Sequence, residues 1–244
     1  MINLQVGSVP FLNARPLIEY LDLDVDLEMP SQLAISFRKG QFDLALVPIV
    51  ECLLHGPYRV LDEVGVCSDG PVWSVLLLCR KQVDEITSIS LDKTSLTSHY
   101  LTKIVCEQFL KLKPHYVNEG ERADADLRIG DRALESYRNL PEQYLSKLDL
   151  GEIWKLYTGL PFVYAVWAIG KDSQLSQESL ELFRQKSLSG TEKVRELDVD
   201  QLEHAYLTQA IRYKIGKEER LGVREFSARL KELGIPSPQA IEFI

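Results

Sequence analysis

Residues 4–48 read LQVGSVPFLNARPLIEYLDLDVDLEMPSQLAISFRKGQFDLALVP, and their alternation sets the architecture of the chain. Leu4 to Val9 reads as a strand. Ala14 to Leu21 reads as a short helix, with Asn13 placed to cap it and Pro16 in its first turn, where a missing N–H does no harm. Asp24 to Glu28 alternates polar and apolar residues, as a second strand does. Ser31 to Lys39 follows as a helix. Ser31 is its expected cap, Leu33 and Phe37 face inward at i,i+4, and Gly40 stops it. Asp43 to Val47 is a short buried strand ended by Pro48. Strand, helix, strand, helix, strand in this order builds a parallel sheet covered by helices.

Outward from this block, Val72 to Arg80 is an extended apolar run and Ile86 to Leu91 a further strand. Ser95 to Lys113 carries Leu101, Ile104, Val105, Phe109 and Leu112 at helical spacing, with Pro114 just beyond. Leu127 to Ile129 is a strand, Asp131 to Tyr137 a helical turn, Leu150 to Tyr157 a helix and Phe162 to Ile169 a strand. From Gln177 the pattern is helical, and the last helix sets Val223, Phe226, Leu230 and Leu233 on one face before Gly234 and Pro236. The expected plan is two lobes. Residues 1–80 plus 168–244 form one discontinuous lobe, and 81–167 form a lobe inserted between crossovers near 75 and 165.

The chain has 244 residues, enough for a large core without disulfides or a structural metal. Its net charge of −8 and the lack of a basic patch disfavour nucleic acid and anionic lipid. The longest apolar run, Leu160 to Ile169, is too short to span a bilayer, and Pro10 and Asn13 break the opening run too early for an export signal. The four cysteines lie far apart and mostly in apolar stretches, as in a reduced cytoplasmic protein. Dinucleotide fingerprint, phosphate loop, zinc spacing and nucleophile elbow are all missing, so no cofactor or metal is expected.

Four polar segments remain as candidate chemistry. In Gly7 to Leu17, between the first strand and helix, Asn13 offers a donor and an acceptor, or simply a helix cap, and Arg15 suits a carboxylate. In Cys67-Ser68-Asp69-Gly70-Pro71-Val72-Trp73-Ser74, a polar turn beside a crossover, Ser68 or Ser74 could hydrogen-bond a ligand or move a proton; the plainer alternative is a surface turn. At Thr94-Ser95-Leu96-Thr97-Ser98 a strand enters a hydroxyl-rich helix start, whose free N–H groups and dipole attract an anion. At Ile129-Gly130-Asp131, Gly130 permits close backbone approach and Asp131 serves at least as a cap. The aromatics of Phe162 to Trp167 read first as core.

In order along the chain, Ser8-Val9-Pro10-Phe11-Leu12-Asn13-Ala14-Arg15-Pro16-Leu17, Asp43 to Pro48, Ser68 to Val75, Leu91 to Ser98, Ala123 to Ala133 and Thr158 to Trp167 resemble the chorismate dehydratase family of the futalosine route to menaquinone. The resemblance implies an α/β, two-lobed type II periplasmic-binding-protein-like fold with mixed sheets and a hinge, without export. It implies a lyase that removes water from chorismate, a small dicarboxylate, and a monomer or homodimer. Carried over by motif, Asn13 and a serine are the chemical residues, with Ser74 preferred to Ser68. Thr97 and Ser98 resemble carboxylate binders, and Ser95 stands beside them. Pro10, Phe11, Arg15, Pro48 and Gly70 are expected around the substrate, as are Gly130, Asp131 and Phe162. Arg128 and Trp73 depart from the family pattern. The alternatives are the paralogous 1,4-dihydroxy-6-naphthoate synthase and a non-catalytic solute-binding protein.

Overall fold

The computed structural model describes residues 4–236 and 238–244. The opening block forms β1 (Val6–Ser8), a single 3-10 turn, α1 (Arg15–Ile18), β2 (Val25–Leu27), α2 (Pro30–Arg38), β3 (Leu44–Pro48) and α3 (Ile49–His55). β1 pairs in parallel with both β2 and β3, as the strand–helix alternation requires. Leu33 and Phe37 are buried, but α2 begins one residue early: Pro30 opens it and Met29, not Ser31, is the cap. Proline fits there because its fixed φ suits the first turn.

The chain continues as β4 (Arg59–Ser68), β5 (Val75–Cys79), β6 (Ser88–Leu91), α4 (Leu96–Lys103), β7 (His115–Asn118), β8 (Ala125–Ile129), α5 (Gly130–Arg138), β9 (Ser146–Asp149), α6 (Leu150–Thr158) and β10 (Phe162–Ile169). It ends with α7 (Gln177–Glu192), α8 (Gln201–Ala205), α9 (Lys217–Glu232) and β11 (Glu242–Phe243). α4 runs on into a π-helical segment, Ile104–Phe109, and α8 into another, Tyr206–Ala210.

Among the described residues two mixed sheets form, in the orders β11-β4-β10-β3-β1-β2 and β7-β6-β8-β5-β9. Two segments move relative to the expected lobes. Val75–Cys79 pairs with β8 and β9 in the second sheet, and Phe162–Ile169 pairs antiparallel with β3 and β4 in the first. The chain therefore crosses between Ser68 and Val75 and returns between Asp149 and Phe162.

β5 is buried on both faces, and alternation divides its side chains. Leu76 and Leu78 pack with Ala133 and Tyr144 under α5, while Leu77 and Cys79 join the main core. All four cysteines are free and buried. Among the described residues no helix is long and apolar enough to cross a membrane.

Candidate active site

A cleft opens between the two sheets. The parallel strands β1, β3, β6 and β8 point their C-terminal ends at it, where α/β sheets bind ligands. Phe11 and Asn13 line it from the turn after β1, Pro48 from the end of β3, and Tyr164 from β10. From the second sheet come Ser74, then Ser95, Thr97 and Ser98 at the start of α4, and Gly130 at the start of α5.

Asn13 does not cap a helix. It lies inside the 3-10 turn Leu12–Ala14, and neither that turn nor α1 has a side-chain cap bond. Asn13 lines the cleft. Near it, the Tyr206 hydroxyl donates to Ser74 Oγ at 2.8 Å, and Tyr206 and Ser74 are both buried. Burial pushes the Tyr206 phenol above its ordinary pKa, so it stays protonated and able to donate.

The loop that carries Ser74 is held by a carboxylate. Asp149 Oδ1 and Oδ2 accept from Val72 N at 3.0 Å, and Oδ2 accepts from Trp73 N at 2.7 Å. The same carboxylate caps α6 through Gly151 N and Glu152 N at 3.0 and 3.1 Å. Trp73, held at φ 63 in the left-handed region, stacks on Tyr137 with ring centroids 5.0 Å apart. A side chain with φ above zero is costly; here the stacked ring and two Asp149 bonds fix it, and Ser74 is aimed as the next residue.

At the start of α4, Ser95 accepts from Ser98 N at 3.3 Å and so caps the helix. Thr97 is buried, and its Oγ1 accepts from Val50 N across the cleft at 3.4 Å. The positive ends of α4 and α5 thus converge on a cleft that, among the described residues, has no Asp or Glu in its lining. Such a field favours a carboxylate.

The structure does not bring every candidate together. Arg15 and Glu19 lie four residues apart on one helical face, so Arg15 Nε meets Glu19 Oε2 at 3.5 Å and Nη1 reaches the Asp198 carbonyl at 3.5 Å, outside the cleft lining. Pro10 is exposed. Phe162 is sunk between Trp154 and Phe226, each with its ring centroid 5.0 Å away, leaving Tyr164 to reach the cleft. Ser68 is buried behind the lining and bonds the Gly70 carbonyl at 3.1 Å and the Tyr164 hydroxyl at 3.2 Å. Gly70, at φ 119, shapes that turn without lining the cleft. Asp131 instead accepts from Leu12 N at 3.1 Å, joining the two lobes beside the site. Arg128 points to the far face of β8, toward Ser136 Oγ at 3.0 Å and the Tyr144 hydroxyl at 3.3 Å.

Three residues escaped the sequence reading. Tyr164 was part of an aromatic stripe assigned to core. Asp149 was signalled by Asp149-Leu150-Gly151-Glu152, a capping pattern before an apolar helix. Tyr206 stands in a helical stretch with no local cue.

Two mixed sheets facing each other across a cleft at their strand ends define a periplasmic-binding-protein-like fold. Similar solved structures include a protein from Archaeoglobus fulgidus (TM-score 0.72, 15% identity, 95% of this chain and 97% of that one). Another is the ligand-binding component of an ABC-type import system from Staphylococcus aureus (TM-score 0.68, 11% identity, 97% and 94%). A sequence profile of the family described as menaquinone biosynthesis matches residues 4–232, and the chain belongs to that family. Its relatives include the chorismate dehydratase of Campylobacter jejuni, 27% identical over 247 residues (94% of this chain, 98% of the relative). That of Thermus thermophilus is 26% identical over 261 residues (95% of each).

Proposed function

We propose that this protein removes water from chorismate to give 3-[(1-carboxyvinyl)oxy]benzoate, as a carbon–oxygen lyase in menaquinone biosynthesis. The observation that carries the reading is the meeting of Asn13 and Ser74 in one cleft, with Tyr206 bonded to Ser74, facing the hydroxyl-rich start of α4. The family and its two relatives support it.

The reaction breaks a C3–H and a C4–OH bond and leaves an aromatic ring, so the driving force is large. One carboxylate docks at Thr97 and Ser98, where helix N–H groups and the dipole receive it. Among the described lining residues there is no His, Asp or Glu to take the C3 proton. In this reading the substrate's own enolpyruvyl carboxylate takes it. Asn13 and Ser74 hold the C4 hydroxyl as its C–O bond breaks, and the leaving oxygen takes up the proton removed from C3 to become water. Positioning and fixed dipoles then supply most of the rate.

The lobes close around the substrate, hinging in the segments between Ser68 and Val75 and between Asp149 and Phe162. The enzyme works in the cytoplasm, a placement supported by four unpaired buried cysteines. The test is incubation of purified protein with chorismate, with and without a chelator. Formation of the benzoate at equal rates in both supports the reading. Binding of chorismate without turnover would leave a solute-binding protein, the role the fold neighbours favour.

A further inference from the structure

Tyr206 lies outside every segment that carried the family resemblance, yet its hydroxyl bonds Ser74, one of the two proposed chemical residues. Asn13 comes from the turn after β1 and Ser74 from the residue before β5, so they belong to different sheets. Tyr206 opens the π-helical segment Tyr206–Ala210. The chain just beyond it is pinned to β4: Arg212 and Cys67 exchange backbone hydrogen bonds of 2.8 and 2.9 Å, and Gly65 N donates to the Tyr213 carbonyl at 2.9 Å. The ring is only 1% exposed, so the hydroxyl has little freedom to turn elsewhere. π-Helical turns of this kind recur at functional sites.

A phenol carries one proton. Here it is spent on Ser74 Oγ at 2.8 Å. Ser74 has then already accepted a hydrogen bond, and its own O–H remains to donate into the cleft.

We infer that Tyr206 is the positioning residue of the site: its hydroxyl, anchored beside β4 of the first sheet, holds Ser74 at the edge of the second and sets it as a donor into the cleft. The inference rests on the proposed dehydration, and it is tested with Tyr206→Phe, which keeps the ring and removes only the oxygen. The expected result is a fall in kcat of tenfold or more with KM within about twofold and a folded far-ultraviolet circular dichroism spectrum. In a Ser74→Ala background the same change should cost less than threefold, because the group it orients is gone. A role in packing alone would lower the melting temperature and leave kcat per folded molecule unchanged. Tyr206→Phe with kcat within twofold of wild type overturns the inference, as does a double variant whose losses simply multiply. A wild-type protein that forms no benzoate from chorismate removes the proposed function, and the inference falls with it. Turnover by wild type with an unaffected Tyr206→Phe overturns the inference alone.

Discussion

Asn13 has the composition of a helix cap and the position of a ligand-binding group, and the two uses predict different mutants. A lost cap costs about 1 kcal/mol of stability; a lost donor in a preorganised site costs about 10²–10³ in kcat. Asn13 makes no capping bond. Asn13→Ala should therefore cut kcat by about that factor while moving the melting temperature little, a split that steady-state kinetics and thermal unfolding measure side by side. Glu51 poses a separate question at this scale. It is buried, with Arg38 Nη1 3.3 Å from Oε2, and Oε1 has no partner among the described residues. Burial pushes its pKa up to about 7, with Arg38 and Lys171 pulling the other way. The folded state thus binds the proton more tightly than the unfolded one, so stability rises as pH falls through about 7 toward the ordinary glutamate value. Glu51→Gln should melt higher than wild type at about pH 8, with the advantage gone by about pH 5. Equal shifts at both pH values would mean that Glu51 does not titrate in this window.

The element that decides the site is the Ser68–Ser74 loop, and Asp149 governs it from β9. One carboxylate serves four backbone N–H groups, two in the loop and two at the start of α6. A buried donor left without a partner costs about 1–3 kcal/mol. Asp149→Ala should then destabilise by about 3 kcal/mol or more, a fall of roughly 6–12 °C in Tm for a chain of this length. It should also release Trp73 from its left-handed conformation and displace Ser74, so activity should drop further than the folded fraction does. Normal kcat per folded molecule would show that the Trp73–Tyr137 stack alone suffices to aim Ser74.

Across the whole molecule, contacts between elements of the two sheets bridge the cleft. Leu12 N meets Asp131 Oδ1 at 3.1 Å, Val50 N meets Thr97 Oγ1 at 3.4 Å, and Arg138 pairs with Asp200. Gly130, at φ 61, lets Phe11 press against the start of α5; a Cβ there would lie 3.0 Å from the ring. Removing clasps that take no part in chemistry should shift the unliganded protein toward an open state. Apparent affinity then falls in proportion to the closed fraction. Asp131→Ala combined with Arg138→Ala should raise KM several-fold at constant kcat and enlarge the radius of gyration in small-angle scattering. A drop in kcat with unchanged KM would instead assign Asp131 to the chemistry.

Wherever period and punctuation were local, the chain alone determined its structure. β10 occupies Phe162–Ile169 as expected, α7 begins at Gln177, and Ser95 caps α4. The motifs placed Asn13, Ser74, Thr97 and Ser98 at strand ends before any strand was paired. β4 was missed because Glu63 sits at φ 64 and the register against β10 shifts, so the two-residue alternation breaks in mid-strand. β7, β9 and β11 were missed because each is at most four residues long and lies at the edge of its sheet, held by a neighbour distant in sequence. Only the tertiary structure could bring the Asp198 carbonyl to Arg15, bury Ser68 behind Tyr164, and carry Tyr206 to Ser74, 132 residues earlier in the chain. Helical and strand periodicity is written over a few neighbouring residues. The partners of a buried polar group are set by which surfaces pack together, and that is a property of the folded chain as a whole.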